Sequence, residues 1–250
     1  MTTGIQLSPS GTSLVLVLGA LLAGCGSMEL ESKPAPESFR LLYDQDFKHE
    51  SSVKDFVASD PAVWSVSTGR DGGWLELEGP SAYEPPHRSP LSIALVDGPV
   101  VESFVLEADL QQTGREYGHR DLCLFFGFQD PEHYYYAHLA TKADDNAHQI
   151  FIVNGAERRP ITTARTFGVD WGSADWHRVR LERNVKTEHI QVYFDDSPKP
   201  VLRARDGTFG AGAVGFGSFD DVGRFADVRL WSDELEVRPP DFFGRIERAR

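Results

Sequence analysis

Short runs of alternating, β-branched or aromatic residues recur along most of this chain, and clusters of Gly, Pro, Asp and Asn separate them. A period of two is typical of strands, and no stretch keeps a helical period over three turns. Many short strands between turn signals indicate a sandwich or a jelly roll. The strands are predicted at residues 74–77, 104–110, 122–128, 134–139, 149–153, 177–181, 190–194 and 214–219.

Alternation also assigns the side chains of three strands to faces, because successive strand residues point to opposite sides. Three sets are wholly apolar, and we expect them to lie between two sheets. The sets are Phe104, Leu106, Ala108 and Leu110; Leu122, Leu124, Phe126 and Phe128; and Tyr135, Ala137 and Leu139. On the opposite side of the third strand, Tyr134, Tyr136 and His138 are expected to line a concave outer face.

The N-terminal segment has a different pattern. Residues 1–24 carry no charged side chain and include the apolar run 14–23. This run is too short to span a bilayer, which needs roughly 20 residues, and it suits a secretory signal. It ends in Leu22-Ala23-Gly24-Cys25, which resembles the bacterial lipobox. The resemblance implies cleavage before Cys25 and lipidation of its thiol. An ordinary signal peptide or an apolar strand is the alternative.

The segments around the predicted domain complete the organisation. Residues 25–38 are polar and contain two prolines, so we predict a tether. The jelly-roll domain is predicted at residues 39–232, and residues 233–250 form a C-terminal tail with one helical turn near its end. The lipid would place the protein in the bacterial cell envelope, and Gly26 after the cysteine is compatible with an outer-membrane or periplasm-facing position.

Charge and cysteine content indicate which partners the protein can bind and whether disulfides or zinc stabilise its fold. The net charge of −13 argues against a nucleic-acid partner, because an acidic surface repels phosphates. Once the leader is removed, Cys123 is the one thiol not committed to the anchor, so no internal disulfide is expected. There is also no Cys/His spacing typical of a zinc site.

A family resemblance rests on the order of several segments. DLCLFFGFQDPEHYYYAHLA is followed by QIFIVNG, DWHRVRLER, IQVYFDD and GAVGFGSFDDVGRFADVRL. Together they resemble the concanavalin A-like (laminin G-like) jelly roll, and within it the bacterial 3-keto-disaccharide hydrolase domain family. The resemblance covers roughly residues 41–230 and implies an all-β sandwich of two antiparallel sheets. It leaves the activity open, because the fold hosts lectins, glycanases, lyases and adhesive modules.

The concave face supplies the candidate binding chemistry. Tyrosine rings stack on the apolar faces of sugars while their hydroxyls form hydrogen bonds. In the proline-stiffened loop SAYEPPHRSPLS, Arg88 would be displayed to clamp a carboxylate or a sulfate. The predicted ligand-binding residues are Arg88, His119, Asp121, Tyr134, Tyr136, His138 and His148.

Catalysis is the alternative to binding. Glu107-Ala108-Asp109 begins the E-x-D-x-E pattern of retaining family-16 glycanases, but Gln111 or Gln112 follows where an acid is required. An amide cannot protonate a leaving oxygen, so a two-glutamate retaining mechanism is not expected. A sugar-active enzyme of another kind, a 3-keto-glycoside hydrolase or a polysaccharide lyase, would use His138 or Tyr136 as its base. Arg88 or Arg120 would stabilise an enolate.

Two further expectations concern cofactors and function. Related jelly rolls hold a structural calcium ion where the first and last strands meet, and the resemblance makes Asp46 and Asp227 its candidate ligands. Asp220-Asp221 would instead form a turn or a wall of the groove. The leading hypothesis is a membrane-anchored lipoprotein that binds a glycan in the groove. A sugar-active enzyme and a structural or protein-binding module are the alternatives.

Overall fold

All eight predicted strands are present in the computed structural model of the chain, which describes residues 1, 33–69, 72–195, 197–233 and 236–237. Two short 3-10 helices, Glu50–Asp55 and Pro61–Val63, flank β2. The strands are β1 Arg40–Gln45, β2 Phe56–Ala58, β3 Trp64–Thr68, β4 Gly73–Leu77, β5 Ser92–Val96, β6 Pro99–Val100, β7 Phe104–Gln112, β8 Asp121–Asp130, β9 His133–Ala140, β10 Gln149–Asn154, β11 Arg159–Pro160, β12 Thr162–Arg165, β13 His177–Asn184, β14 His189–Phe194, β15 Leu202–Arg205, β16 Ala213–Ser218, β17 Gly223–Ser232 and β18 Glu236–Val237.

Residues 2–24 of the predicted signal peptide, residues 25–32 of the predicted tether and the predicted helical turn of the tail lie outside the described residues. Within the described residues, no helix combines the length and the apolar character needed to cross a membrane. The described end of the tether is not a free linker. Lys33 pairs with Glu182, and the carbonyl oxygens of Lys33 and Pro34 accept hydrogen bonds from Arg180.

The strands form two large antiparallel sheets, and this confirms the predicted jelly-roll sandwich. The nine-stranded sheet has the order β12-β15-β14-β13-β7-β17-β4-β3, with β1 paired to β17. The seven-stranded sheet has the order β11-β10-β9-β8-β16-β5-β2. In addition, β18 pairs with β6, so strand structure continues into the predicted tail.

The main core lies between the two sheets, where the alternation of the sequence placed it. The inward residues of β7, such as Leu106 and Leu110, share one buried cluster with Leu124 of β8 and with Tyr135 and Leu139 of β9. These side chains are fully buried. The hydrophobic effect therefore sets the register of the central strands, because a slip of one residue would turn their apolar sets outward.

Phe128 is the exception to the predicted faces. Gly127 has a φ of +55°, a left-handed conformation that glycine adopts without a steric cost. The pairing of β8 with β9 is irregular beyond Phe126, so the alternation is interrupted there. Phe128 consequently points to the outer face of the seven-stranded sheet, where its ring stacks on Tyr134 at 4.7 Å.

That outer face is a second apolar layer and not the open groove that the sequence led us to expect. Tyr134 and Tyr136 are fully buried in it. Tyr83, from the proline-rich loop between β4 and β5, packs against this layer. The other members of the layer are Ile93, Leu95, Val100, Cys123, Phe125, Phe128, Phe151, Val153 and Ala213.

Candidate functional site

A pocket of about 190 Å³ lies where several loops meet on the outer side of the seven-stranded sheet. Strand β9 supplies His138, and five different loops supply the other lining residues. Most of these side chains are polar or charged, and Phe219 is the aromatic one that carries no polar group. The lining residues are Arg88, Tyr117, His119, His138, Asn146, Arg158, Phe219 and Asp220.

Beneath the pocket lies a buried polar network centred on Asp121, which is fully buried at the start of β8. One of its oxygens accepts a hydrogen bond from Ser218 Oγ at 3.1 Å. The other accepts from the Phe219 backbone N–H and from the Cys123 thiol, both at 3.2 Å. Because a buried carboxylate needs such donors, this network fixes the position of the Phe219 loop at the pocket.

His138 lies in this network and is held by a hydrogen bond to one of its ring nitrogens. The backbone N–H of His148 donates to its Nδ1 at 3.3 Å, so the proton of the neutral ring sits on Nε2. Nε2 lies 3.5 Å from the Asp121 carboxylate. Burial, followed by the charge of Arg158, lowers the pKa of His138 to about 3. The ring is therefore neutral near pH 7, and neither nitrogen has a lone pair available to abstract a proton.

A second acidic side chain, Asp221, ties the pocket wall together. It accepts hydrogen bonds from the Tyr117 hydroxyl at 2.7 Å and from the Asp121 backbone N–H at 3.0 Å. Burial and the nearby Asp221 charge raise the pKa of Asp121, and burial also raises the pKa of Asp221. Burial and the bond to Asp221 raise the pKa of Tyr117, so this residue remains a neutral phenol.

Two clusters bring together the donor types of a metal site: Asp121 with Cys123 and His138, and Asp121 with Asp220 and Asp221. In the first cluster, His138 carries its proton on the nitrogen that would face a metal. Burial raises the pKa of the Cys123 thiol, whereas a metal needs the thiolate. In the second cluster, the Asp121 and Asp221 oxygens already accept the hydrogen bonds described above. Hydrogen bonds within the protein therefore already engage Asp121, Cys123 and Asp221 of these clusters.

The predicted calcium ligands are engaged elsewhere. Asp46 is paired with Lys48 at 2.5 Å. Asp227 accepts hydrogen bonds from Arg178 at 3.0 Å and from Arg229 at 2.9 Å. Basic side chains thus already pair with both carboxylates, and the calcium site stays a prediction.

The predicted aromatic binding face is also corrected. Tyr136 stacks on Phe151 with 5.1 Å between ring centroids, and its hydroxyl accepts a hydrogen bond from Arg158 at 2.8 Å. Tyr134 is packed among Phe125 and Phe128. Neither ring is exposed to stack on a sugar. Burial also raises the pKa of Tyr136 well above its usual range, so the phenol stays protonated at neutral pH and cannot serve as a base.

The remaining predicted residues divide between the pocket and its surroundings. His119 is exposed at the pocket and is paired with the Asp144 carboxylate. His148 is buried, and its Nε2 lies 2.9 Å from Thr166 Oγ1 rather than in the pocket. Arg120 turns away and donates to the backbone carbonyls of Gln112 and Gly172. The predicted catalytic set of His138, Tyr136 and Arg120 therefore does not converge.

Arg158, Tyr117, Asn146 and Phe219 line the pocket without having been predicted. The only available signal for Arg158 was a pair of arginines after the Asn-Gly turn of β10, a position that usually faces solvent. The loops that carry Tyr117 and Asn146 have no distinctive pattern of their own.

The Glu107-Ala108-Asp109 motif lies on the opposite sheet, on its outer face. Glu107 is buried in an ion pair with Arg180, and Asp109 pairs with Arg178. Gln111, which follows them on the same face, donates to the Ala174 carbonyl at 2.6 Å. Both carboxylates are thus structural groups in a salt-bridge network.

The fold is that of lectin-like β-sandwiches. The structure is similar to the winged bean acidic lectin complexed with methyl-α-D-galactose, with a TM-score of 0.53 and 14% identity over 79% of this chain and 99% of the lectin. A protein of unknown function with a galectin-like fold from Bacillus subtilis has a TM-score of 0.51 and 16% identity, over 77% of this chain and 97% of that one.

The carbohydrate-binding module CBM66 from Bacillus subtilis gives a TM-score of 0.50 and 17% identity, over 71% of this chain and 96% of the module. No protein-family model and no curated protein sequence matches the chain. The comparisons therefore establish the sandwich fold, and the function has to be argued from the pocket.

Proposed function

We propose that this protein is a lipid-anchored, extracytoplasmic glycan-binding protein whose pocket holds one sugar unit. The observation that carries the proposal is the pocket itself, which collects side chains from five loops at one place on a rigid sheet. Loops on a rigid scaffold are where binding residues are commonly found.

The composition of the pocket suits a sugar. A monosaccharide presents hydroxyl groups that both donate and accept hydrogen bonds, together with small apolar C–H surfaces. The Asn146 amide, the Tyr117 hydroxyl and the Asp220 carboxylate supply both kinds of partner, and Phe219 supplies an apolar wall. The volume of about 190 Å³ is below the roughly 300 Å³ at the lower end of drug-sized sites. One sugar unit at a chain end therefore fits better than a long segment.

Two of the structurally similar proteins support this proposal because their names state that they bind carbohydrates. One is a carbohydrate-binding module, and the other is a lectin complexed with methyl-α-D-galactose. Binding is favoured over chemistry because Nδ1 of His138 accepts from the His148 backbone N–H and the Tyr136 hydroxyl accepts from Arg158. A general base must instead be free to take a proton.

The binding proposal is tested with the full chain, purified in detergent and applied to a broad glycan array. The pocket variant carries His119→Ala and Asn146→Ala, and the control carries His189→Ala, an exposed histidine on the other sheet. We expect a restricted set of glycans to bind the unmodified and control proteins, and to bind the pocket variant at least tenfold more weakly. Absence of binding to every glycan would refute the function, and unchanged binding by the pocket variant would refute the site.

The anchor is tested separately. We expect cells fed an alkyne-tagged fatty acid to label the unmodified protein and not Cys25→Ala, and the variant to leave the membrane fraction. A Cys123→Ala variant serves as the matched control, because it removes the other thiol of the chain. Equal labelling of Cys25→Ala would contradict the lipid anchor without affecting the glycan proposal.

A further inference from the structure

Resting on the proposed function, we infer that the sugar in the pocket is anionic and that its carboxylate or sulfate is held by Arg88 and Arg158. The two guanidinium groups come from different loops and reach the same aromatic ring. The Arg88 Cζ lies 5.4 Å, and the Arg158 Cζ 4.4 Å, from the centre of the Phe219 ring. The Arg158 backbone N–H also donates to the Arg88 carbonyl at 3.4 Å, so the two loops lie side by side.

Arg158 is fixed in place before any ligand arrives. Its Nη1 donates to the Tyr136 hydroxyl at 2.8 Å, and its guanidinium lies 4.5 Å from the centre of the Phe151 ring. Within the described part of the chain, its Nε and Nη2 groups donate no hydrogen bond to another side chain or to a carbonyl oxygen. A planar guanidinium held on aromatic rings is suited to donate two parallel hydrogen bonds to a carboxylate or a sulfate.

Unlike several other arginines of the protein, Arg88 and Arg158 have no acidic partner in the described residues. On the opposite sheet, Arg178, Arg180 and Arg224 are each paired with an acidic side chain. Within the described residues, neither Arg88 nor Arg158 forms an ion pair with a carboxylate. Arg158 is half-buried, and a partly desolvated cation without a counterion favours an anionic ligand.

The charges around the pocket agree with this assignment, with one opposing group. Burial, followed by the Arg158 charge, lowers the pKa of His138, so that ring adds no charge of its own at neutral pH. The Asp144 carboxylate is paired with His119. Asp220 is exposed and lines the same pocket, where its charge would repel an anionic sugar. Removing the Asp220 charge should therefore strengthen binding, whereas removing either arginine should weaken it.

The test compares matched ligands by isothermal titration calorimetry. The probes are uronate-containing oligosaccharides, the same oligosaccharides with their carboxyl groups reduced to alcohols, and sulfated oligosaccharides of the same backbone. We expect the acidic forms to bind more tightly than the reduced forms by roughly 10- to 100-fold, the range of a charged hydrogen bond. Arg88→Met and Arg158→Met should lose that advantage, and Asp220→Asn should increase it.

Two controls keep the result interpretable. Arg203→Met removes an exposed arginine from β15 on the other sheet and should bind as the unmodified protein does. Arg158→Lys keeps the charge without the planar group and should retain part of the preference. If Arg158→Met fails to fold, Arg88→Met decides, because Arg88 is an exposed loop residue.

The outcomes separate the two proposals. Preference for uronate or for sulfate forms, lost in the arginine variants, supports the inference and identifies the anionic group. Equal binding of acidic and reduced forms, unaffected by the arginine variants, overturns the anionic inference and leaves the glycan function standing. If neither form nor any other glycan binds, both proposals fail.

Discussion

His148 gives the most direct test of how burial controls the charge of this protein. It is fully buried, it occupies a left-handed conformation with a φ of +53°, and burial lowers its pKa to about 4 from the ordinary 6.5. Asparagine tolerates that backbone conformation better than most residues and does not titrate. His148→Asn therefore removes the titrating group while keeping the local chain path.

The sign of the effect follows from proton binding. Below pH 6.5 the unfolded chain takes up a proton at His148 that the folded protein refuses, so stability is complete above pH 6.5 and falls as the pH approaches 4. One pKa unit corresponds to about 1.4 kcal/mol. At pH 5 the wild-type protein should therefore have lost about 2 kcal/mol that the variant keeps. His138 titrates in both proteins, and the charge of His148 is a minor cause of its low pKa, after burial and the charge of Arg158, so most of its contribution cancels in the difference.

Urea unfolding followed by tryptophan fluorescence at pH 7.5, 6 and 5 measures this difference. We expect the variant to be less stable at pH 7.5, because it loses the contact with Thr166. The difference in free energy of unfolding between the two proteins should then shift in favour of the variant at each lower pH. If the difference in free energy of unfolding between the wild-type protein and the variant stays the same from pH 7.5 to pH 5, the reasoning is refuted. Glycan binding at pH 7.5 should be unchanged, because His148 does not line the pocket.

Three further predictions concern structural groups. Gly217→Ala would place a Cβ 1.8 Å from the Ser92 carbonyl oxygen, so thermal unfolding should show a loss of at least about 2 kcal/mol. Glu107→Gln should cost roughly 3 kcal/mol in urea unfolding, because Arg180 loses one of its two carboxylate partners; wild-type stability would contradict the structural role. Buried Cys123 should react with a thiol reagent only when urea unfolds the protein, as peptide mass spectrometry would show; rapid labelling of the native protein would contradict its burial.

Much of the fold could be predicted because the period-two pattern is a direct consequence of strand geometry. Leu106 and Tyr135 lie in the inter-sheet core as their alternation predicts. The face of Phe128 could not be predicted in the same way. A glycine inside a strand suggests a bulge, but only the left-handed conformation of Gly127 shows that the alternation is interrupted there.

The site was less predictable because alternation shows which side chains share a face and not what covers them. Tyr136 shares its face with His138 as expected, but the face is buried by apolar packing that includes Tyr83. That cover comes from a distant part of the chain and has no signal in the strand itself. Arg158 was missed for a related reason: only the stacking of its loop against the Arg88 loop turns an ordinary turn residue into a lining one.

The apolar layer beneath the proline-rich loop has a consequence for how the protein meets its ligand. Tyr83 and Ser89 anchor this loop, the first by packing on the layer and the second by its own burial. Lifting the loop would expose apolar surface. In hydrogen exchange with solvent, its buried amide protons should therefore exchange at the same rate as those of the sandwich, and not faster through a separate local opening. The proposed binding site is thus preorganised, and association with a ligand there should cost little ordering entropy. Specificity can then change through exposed residues such as Arg88, while folding itself constrains the sheet beneath.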